Sequence, residues 1–206
     1  LTSLDEASVR EAAKILAAEG VEAVAVCLLH AYANPAHERR AAEILAEVLP
    51  DVMITISSDV LPVFREYERG MATILNAFVM PGVARYVSRI RERLSGDGID
   101  ARLLLMKSSG GVIGADGARE TPIQTALSGP AAGVVGAGHV AELAGFERVI
   151  SLDVGGTSAD ICLIDGEPVL SVEGRVGEWP MQLPMIDIHT IGSGGGSIAQ
   201  VTADGE

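Results

Sequence analysis

The stretch Ile150-Ser-Leu-Asp-Val-Gly-Gly-Thr-Ser-Ala-Asp-Ile-Cys-Leu-Ile164 decides the fold of this chain. Apolar residues occupy both of its ends and a Gly-Gly pair its centre, which predicts two short buried strands joined by a tight hairpin. The turn combines the carboxylate of Asp153 with Gly155, Gly156 and the hydroxyl of Thr157. Glycines let backbone N–H groups close on an anion and a carboxylate can hold a divalent metal, so the turn suits a phosphate chain with Mg²⁺. The alternative is an ordinary hairpin whose glycines only satisfy the turn geometry.

A glycine-rich segment, Ser128 to Gly145, comes directly before this hairpin. Pro130 suits the first turn of a helix and Gly145 suits its C-terminal end. Each internal glycine costs a helix about 1 kcal/mol relative to alanine. The segment therefore predicts a helix against which another part of the backbone packs closely.

Three glycine motifs in this order resemble the hydantoinase A/5-oxoprolinase family, which lies within the actin-like ATPase superfamily. They are Leu127-Ser-Gly-Pro-Ala-Ala-Gly-Val-Val-Gly-Ala137, Asp153-Val-Gly-Gly-Thr-Ser-Ala-Asp-Ile161 and Asp187-Ile-His-Thr-Ile-Gly-Ser-Gly-Gly-Gly-Ser-Ile-Ala199. Asn34-Pro-Ala-His-Glu38, Arg65-Glu-Tyr-Glu-Arg69 and Asn76-Ala77 agree as well, so the resemblance covers essentially all 206 residues.

The resemblance implies an α/β chain with part of an actin-like ATPase (ribonuclease H-like) fold. Residues 1–64 would form the end of a first lobe as a β-α-β layer, residues 65–100 the connecting helices, and residues 101–206 the start of a second lobe with a phosphate-binding β-hairpin. Members of the family carry an earlier Asp-x-Gly-Gly-Thr hairpin and a long C-terminal continuation. We therefore expect this chain to be the middle fragment of a longer protein, inactive by itself.

The implied function is that of an ATP-dependent hydrolase subunit that opens a cyclic amide of the hydantoin, N-methylhydantoin or 5-oxoproline type. Phosphorylation of the carbonyl oxygen would turn a stable amide into an electrophile that water can open. ATP and Mg²⁺ are the implied cofactors, and a hydantoinase B-type subunit or domain the implied partner. An acetone-carboxylase-like nucleotide-binding subunit and an actin-like nucleotide switch without small-molecule chemistry are the alternatives.

The candidate site residues follow from these motifs. Asp153 would hold Mg²⁺ or orient the attacking water, the two roles in phosphoryl transfer that need a carboxylate. Asp187 is a second catalytic candidate, and it shares one side of a predicted strand with His189, itself a candidate core residue or hydrogen-bonding partner. Asp160 is either a second metal ligand or a surface carboxylate. The candidate nucleotide-binding residues are Gly155, Gly156, Thr157, Ser158, Gly194, Gly195 and Gly196.

Composition narrows the class of protein. A hydrophobic content of 48% excludes a disordered chain. A net charge of −13 argues against a nucleic-acid-binding surface, and no apolar run has membrane-spanning length. Cys27 and Cys162 stand apart in predicted buried strands, which fits free thiols in a reducing cytoplasm.

The N-terminal half predicts a parallel β-α-β unit. Ser3 and Glu6 have the spacing of a capping box for a first helix, which Gly20 ends. Residues 21–29 and 53–56 are predicted to form strands. Between them Asn34 caps a helix to about residue 49.

The middle of the chain predicts two helices. Apolar residues recur at helical spacing from Met71 to Val79, beside a polar stripe of Glu66, Arg69, Thr73 and Asn76 that we expect to face a cleft or an interdomain contact. Pro81 would then begin the second helix, to about residue 94.

The remaining segments are short. Residues 102–106 read as a strand before a loop in which Lys107 could approach a phosphate or stay at the surface. Asp165-Gly166 predicts a turn before a strand over 168–172, residues 179–184 read as irregular, residues 185–191 as an alternating strand, and 198–201 as a last strand.

Overall fold

The computed structural model describes residues 2–172, 174–176 and 179–198. Its helices are α1 (Glu6–Glu19), α2 (Ala36–Val48), α3 (Ser57–Val60), α4 (Glu66–Gly96), α5 (Ala115–Glu120) and α6 (Ser128–Leu143), with a 3-10 turn at Pro122–Thr125. Its strands are β1 (Ala23–Val26), β2 (Met53–Ile56), β3 (Leu104–Met106), β4 (Val112–Gly114), β5 (Arg148–Val154), β6 (Ala159–Asp165), β7 (Glu167–Pro168), β8 (Leu170–Ser171), β9 (Gly174–Val176), β10 (Trp179–Met181), β11 (Met185–Ile186) and β12 (His189–Ile191).

The N-terminal part is a parallel two-stranded sheet. Strand β1 pairs with β2, and α2 forms the crossover between them, as the apolar runs predicted. Ala13 of α1 and Leu45 and Leu49 around α2 are buried together against partly buried residues of the two strands. Gly20 ends α1 in the left-handed conformation at φ 68°.

The predicted capping box of α1 is wrong. Asp5 is the N-cap, and its Oδ1 accepts hydrogen bonds from the N–H groups of Ala7 (3.1 Å) and Ser8 (3.2 Å). A carboxylate at this position serves the free N–H groups of the first turn as well as a serine does, so Ser3 is not needed. The N-cap of α2 is Pro35, one residue after the predicted Asn34, but the Asn34 Oδ1 does accept from the Ala36 N–H at 3.1 Å at the start of the helix.

Helix α4 is one helix of 31 residues that runs through Pro81, so the predicted start of a second helix at Pro81 is wrong. Proline removes one N–H, and therefore one intrahelical hydrogen bond. Packing supplies the compensation, because Met80 on one side of the proline and Ala84 and Val87 on the other are all buried.

The buried face of α4 is also different from the one that its apolar residues predicted. Arg69, Thr73 and Asn76 are fully buried, whereas Ile74 is 53% exposed and Phe78 is 80% exposed. The polar stripe joins segments that are distant in sequence, since the Asn76 side-chain amide donates to Thr55 Oγ1 and to the Glu120 carbonyl, both at 3.0 Å, and its Oδ1 accepts from the Ile123 N–H at 3.1 Å. The stripe is therefore buried and hydrogen-bonded to other segments of the fold, and its expected place at a cleft or an interdomain contact stays a prediction.

The C-terminal part is organised around an antiparallel sheet in the order β12-β6-β5, with β7 beside β6. Helix α6 covers one face of this sheet, where Val134 packs against Cys162 and Ile164. The opposite face is open: Ile150 and Leu152 are 68% and 63% exposed. The hairpin predicted over 150–164 is confirmed, but its strands are buried on one face only.

Shorter strands in this region depart from the sequence predictions. The strand predicted over 168–172 divides into β7 and β8, and the segment predicted as irregular contains β10, which pairs with β9. The alternating strand predicted over 185–191 breaks between β11 and β12. The loop after β3 is a hairpin turn into β4, closed by the Lys107 N–H on the Gly111 carbonyl at 2.7 Å. The last predicted strand lies outside the described residues beyond Ile198, which is in no strand.

Cys27 was expected to be buried in a strand, but it follows the end of β1 and is exposed, whereas Cys162 is buried as predicted. Both thiols are free. Among the described residues, no helix has the length and apolar character needed to cross a membrane.

Candidate functional site

The hairpin turn between β5 and β6, residues 155–158, is closed by a hydrogen bond from the Gly155 N–H to the Ser158 carbonyl at 2.9 Å. The turn residues Gly155, Gly156 and Thr157 are exposed, and Ser158 is half-buried. The hydroxyl of Thr157 and the N–H groups of Gly156 and Thr157 are thus at the solvent-facing end of the hairpin, where an anion can reach them.

A second glycine segment, the glycine loop of residues 192–197, lies directly on this turn. The Gly195 N–H donates to the Gly155 carbonyl at 2.9 Å. A Cβ atom on Gly194 would lie 2.6 Å from the carbonyl carbon and oxygen of Gly156, closer than any side chain permits. Residue 194 must be glycine for the loop to lie against the turn, so two motifs distant in sequence form one surface.

Asp153 lies at the end of β5, where its backbone is in register with Asp160 of β6. Residues directly opposite in an antiparallel pair point to the same face, which here is the face covered by α6. A Cβ atom on Gly133 of α6 would lie 3.5 Å from Asp153 Oδ2, and one on Gly138 would lie 3.7 Å from Ile164. Both are ordinary contacts with side chains, and Gly129 and Gly136 have no neighbour within 4 Å of a Cβ position, so the predicted close approach of another backbone to α6 is wrong. The contact at Gly133 puts the exposed Asp153 carboxylate between the hairpin and the first half of α6.

Asp160 is half-buried and anchored by its neighbour on the next strand. Thr190 Oγ1 donates to Asp160 Oδ1 at 2.6 Å, and the two residues are partners in the β12–β6 register. Thr190 lies in one of the glycine motifs but was not predicted as a site residue, because only the strand register brings it to Asp160. Asp153, Asp160 and Thr190 therefore form a polar row across three strands.

Asp187 and His189 do not share one side of a strand, because the chain leaves β11 at Ile186 and enters β12 at His189. His189 is exposed and pairs with Ile161, on the sheet face opposite Asp160, so the expectation of a core histidine is wrong. Asp187 donates its backbone N–H to the Val169 carbonyl at 2.8 Å. Burial raises the pKa of the Cys162 thiol, and the negative charge of Asp187 raises it further.

The Asp153 and Asp160 carboxylates suit a magnesium ion only if a bound molecule, such as a phosphate compound, supplies further oxygen atoms to the ion. Among residues 2–172, 174–176 and 179–198, no group of three or more His, Cys, Asp or Glu side chains could hold a metal ion. Mg²⁺ commonly binds through one or two carboxylates together with water and substrate phosphates. The Asp153–Asp160 pair next to exposed turn amides fits that kind of site.

The chain belongs to the hydantoinase/oxoprolinase family. The family model for hydantoinase/oxoprolinase matches residues 69–206, and the model for the hydantoinase/oxoprolinase N-terminal region matches residues 1–49. The recognition made from the three glycine motifs is thereby confirmed.

Solved structures support the same relationship. The crystal structure of the ATP-dependent caprolactamase from Pseudomonas jessenii matches with a TM-score of 0.87 at 33% identity, over 98% of this chain and 30% of that chain. The nucleotide-free structure of acetone carboxylase matches with a TM-score of 0.79 at 30% identity, over 97% and 29%. The mixed α/β fold is therefore shared with both enzymes.

A curated relative, 5-oxoprolinase of Saccharomyces cerevisiae, is 33% identical over 200 residues, which are 94% of this chain and 15% of that protein. The chain thus spans less than a third of the length of these three relatives. Their activities belong to proteins much longer than the residues described above.

Proposed function

We propose that the full-length protein is an ATP-dependent hydrolase that opens a cyclic amide by phosphorylating its carbonyl oxygen. The observation that carries this proposal is the contact of the glycine loop with the hairpin turn, together with the approach of Asp153, at the edge of that turn, to Gly133 of α6. Relatives named caprolactamase and 5-oxoprolinase support the choice of a cyclic amide.

The residues of the site have separate roles in this proposal. Gly155, Gly156, Thr157 and Ser158 of the turn, with Gly194, Gly195 and Gly196 of the glycine loop, hold the phosphates of ATP through backbone N–H groups and hydroxyls. Asp153 and Asp160 hold Mg²⁺. When bound, this ion neutralises charge on the transferring phosphoryl group. Thr190 acts through Asp160 and is a positioning residue.

The proposed reaction begins with phosphoryl transfer: the amide oxygen bonds to the γ-phosphorus while the bond from that phosphorus to the oxygen of ADP breaks, and the ring nitrogen loses its proton. Water then attacks the activated carbon and the ring C–N bond breaks, which leaves an acyl phosphate. A second water releases phosphate, so one ATP and two waters convert the cyclic amide into an amino acid, ADP and phosphate.

The proposal extends to the architecture and the partner. We assign residues 1–64 to the first lobe of an actin-like ATPase, 65–100 to the connection and 101–206 to the second lobe, so that the phosphate clamp requires both lobes. A hydantoinase B-type subunit would carry the hydrolytic step. Relatives named as subunits, such as caprolactamase subunit alpha and acetone carboxylase beta subunit, support a partner. The two free thiols fit a reducing, cytoplasmic setting.

The test is ADP release by the full-length protein with MgATP and one candidate substrate at a time: hydantoin, N-methylhydantoin, 5-oxoproline, ε-caprolactam, or acetone with bicarbonate. We expect a cyclic amide to increase ADP release and to be ring-opened in equal amount. If only acetone with bicarbonate increased ADP release, the result would instead favour a carboxylase function, the alternative that the likeness to acetone carboxylase supports. The same rate of ADP release with and without every compound would favour a nucleotide switch and contradict the proposal.

Gly194→Ala is expected to weaken MgATP binding by the full-length protein roughly tenfold or more. Its Cβ would collide with the Gly156 backbone, 2.6 Å away, so the glycine loop must move off the turn. Titration calorimetry with MgATP measures the effect. Gly192→Ala is the matched control, because a Cβ there meets nothing within 4 Å. Equal affinities of the two variants would mean that the loop does not contribute to the nucleotide site.

A further inference from the structure

A cavity of about 290 Å³ lies beside the first turn of α6. Leu127 and Pro130 at the start of α6 form one wall, Ser108 after β3 forms a second, and Asp187 and Thr190 form a third. Its surface is mixed, with side chains of Ile186 and Ile188 adding apolar area. None of the sequence motifs predicted it, because its walls come from separate segments.

The cavity lies near the carboxylate pair. Pro130 lines it, and Gly133, one helical turn further along α6, is the residue whose Cβ position is 3.5 Å from Asp153 Oδ2. Three residues of helix rise about 4.5 Å. Thr190 also lines the cavity, while its hydroxyl donates to Asp160. A molecule in the cavity would therefore lie within reach of a phosphate bound at Asp153.

The first turn of α6 gives the cavity wall a strained residue and a set of free backbone N–H groups. Leu127, the N-cap, has a left-handed backbone at φ 56° and makes no side-chain cap hydrogen bond. A leucine in this conformation is strained, and such strain persists where the surroundings require it, often at ligand sites. The free N–H groups of the first turn carry partial positive charge, which favours negative charge that develops on a neighbouring oxygen.

Size and charge restrict the occupant. Pockets for drug-sized ligands run from about 300 to 1,000 Å³, so this cavity suits a single small ring and is too small for a nucleotide. Asp187 and Arg175 are the charged residues that line the cavity, whereas Asp160 is outside the lining and accepts the hydrogen bond of Thr190. Arg175 is engaged in an interaction within the chain. One carboxylate and one guanidinium leave the lining without net charge, which favours a neutral ring over one that carries a carboxylate beside Asp187.

We propose that this cavity, the acceptor cavity, binds a small neutral cyclic amide with its carbonyl oxygen towards Asp153 and its ring N–H towards Asp187. This inference rests on the proposed function and deepens it. As the amide oxygen bonds to the γ-phosphorus and the bond to ADP breaks, the ring N–H proton moves to the Asp187 carboxylate and a C=N bond forms in the ring. Asp187 is then a catalytic base as well as the source of selectivity.

The first arm of the test compares two rings that differ only by a carboxylate, 2-pyrrolidone and 5-oxoproline, in ATP hydrolysis by the full-length protein. We expect the KM for 2-pyrrolidone to be at least about tenfold lower than the KM for 5-oxoproline. Repulsion between two like charges a few ångströms apart at a protein surface is large enough to produce a difference of this size. Asp187→Asn should reduce the KM ratio severalfold and lower kcat for 2-pyrrolidone. An equal or lower KM for 5-oxoproline would overturn the proposal, while its stimulation of ATP hydrolysis would leave the proposed function standing.

The second arm fills the cavity. Leu127→Trp should raise the KM for 2-pyrrolidone at least about tenfold and leave the KM for MgATP unchanged, since the larger side chain projects from an exposed position at the cavity wall. Leu143→Trp, at the exposed far end of α6, is the matched control. The same KM in both variants would overturn the assignment of the cavity.

Direct binding of 2-pyrrolidone, measured by ligand-observed NMR without nucleotide, separates the two proposals. Binding that Leu127→Trp abolishes and Leu143→Trp preserves would support the cavity even if no ring stimulated ATP hydrolysis, a result that would contradict only the proposed function. Binding unaffected by Leu127→Trp would overturn the cavity whatever the ATP hydrolysis shows.

Discussion

Asp153→Asn should reduce amide-dependent ATP hydrolysis by the full-length protein by at least about 10²-fold, the scale of losing one group that stabilises transition-state charge. The carboxylate is exposed, is opposed by Asp160 across the hairpin and lies close to Gly133 of α6. Asparagine keeps the size of the side chain but removes the charge that would hold Mg²⁺ against the phosphates. Steady-state ADP release at saturating amide, followed over a range of MgATP concentrations, measures the loss.

Asp165→Asn is the matched control for this substitution. Asp165 is exposed at the other end of the same hairpin, where it pairs in register with Arg148. The Asp165→Asn variant should therefore turn over ATP at a rate within about twofold of the parent protein. Circular dichroism of both variants should match the parent, since neither side chain is buried. Full activity of Asp153→Asn would remove this carboxylate from the mechanism and with it the assignment of the hairpin as the phosphate site.

The hairpin could be predicted because its information is local. Two apolar runs with a glycine pair between them specify strands and a turn without help from the rest of the chain. The glycines of α6 misled, because a glycine inside a helix has a cost that close packing can offset, yet Gly133 and Gly138 meet only side chains at 3.5 and 3.7 Å, where a Cβ would fit. In the hairpin, residue type alone pointed to the backbone geometry that was found.

The orientation of α4 could not be predicted, because it depends on partners distant in sequence. Periodicity assigned the apolar residues to the core, yet the buried positions include Arg69 and Asn76, while Phe78 is 80% exposed. Asn76 has hydrogen-bond partners near residues 55, 120 and 123, and Arg69 Nη2 donates to the Leu28 carbonyl at 2.7 Å. Thr73 donates to the Arg69 carbonyl of its own helix, but the partners of the Asn76 amide and of Arg69 Nη2 all come from other segments. Such a stripe looks the same in sequence as a solvated face.

The acceptor cavity was missed for a related reason. Its lining comes from the end of β3, the start of α6 and the segment around β11 and β12, and no one motif spans them. Asp187 was singled out from its place beside a glycine loop, but the break of the strand after Ile186, which turns it away from the register of His189, has no sequence signature. Side-chain alternation predicts faces only while a strand is continuous.

Glu38→Gln should destabilise the N-terminal part of the fold by about 3 kcal/mol at pH 7. Glu38 is fully buried on α2, its Oε1 accepts from the Leu28 N–H (2.8 Å) and Ser57 Oγ (2.5 Å), and its Oε2 accepts from the Ser58 N–H (2.9 Å). A glutamine keeps one acceptor oxygen and turns an NH₂ group towards donors at the other position, which leaves buried N–H groups without a partner. Hydrogen exchange at the Leu28 and Ser58 amides should become about 10²-fold faster.

The dependence of this effect on pH distinguishes the carboxylate from the mere shape of the side chain. Burial by itself raises the pKa of the Glu38 carboxyl, but the hydrogen bonds from Ser57, Leu28 and Ser58 outweigh it and hold the pKa below its ordinary value of 4.5. A depressed folded-state pKa contributes stability that is complete above the unfolded-state value and is lost as the pH falls through the folded-state value. The difference in amide protection between the parent and Glu38→Gln should therefore be constant from pH 7 down to about 5 and shrink below 4.5.

Glu43→Gln on the same helix supplies the comparison, because its side chain is 62% exposed and its ion pair with Arg40 is at the surface. We expect it to cost less than about 1 kcal/mol, with no change in exchange at Leu28 or Ser58. A loss of protection in Glu38→Gln that stayed the same at pH 4 as at pH 7 would mean that the ionised carboxylate is not what holds α3 and the segment after β1 together. A pH-dependent loss would instead show that one charge on α2, met by donors from two other segments, stabilises the layer on which the buried polar face of α4 rests.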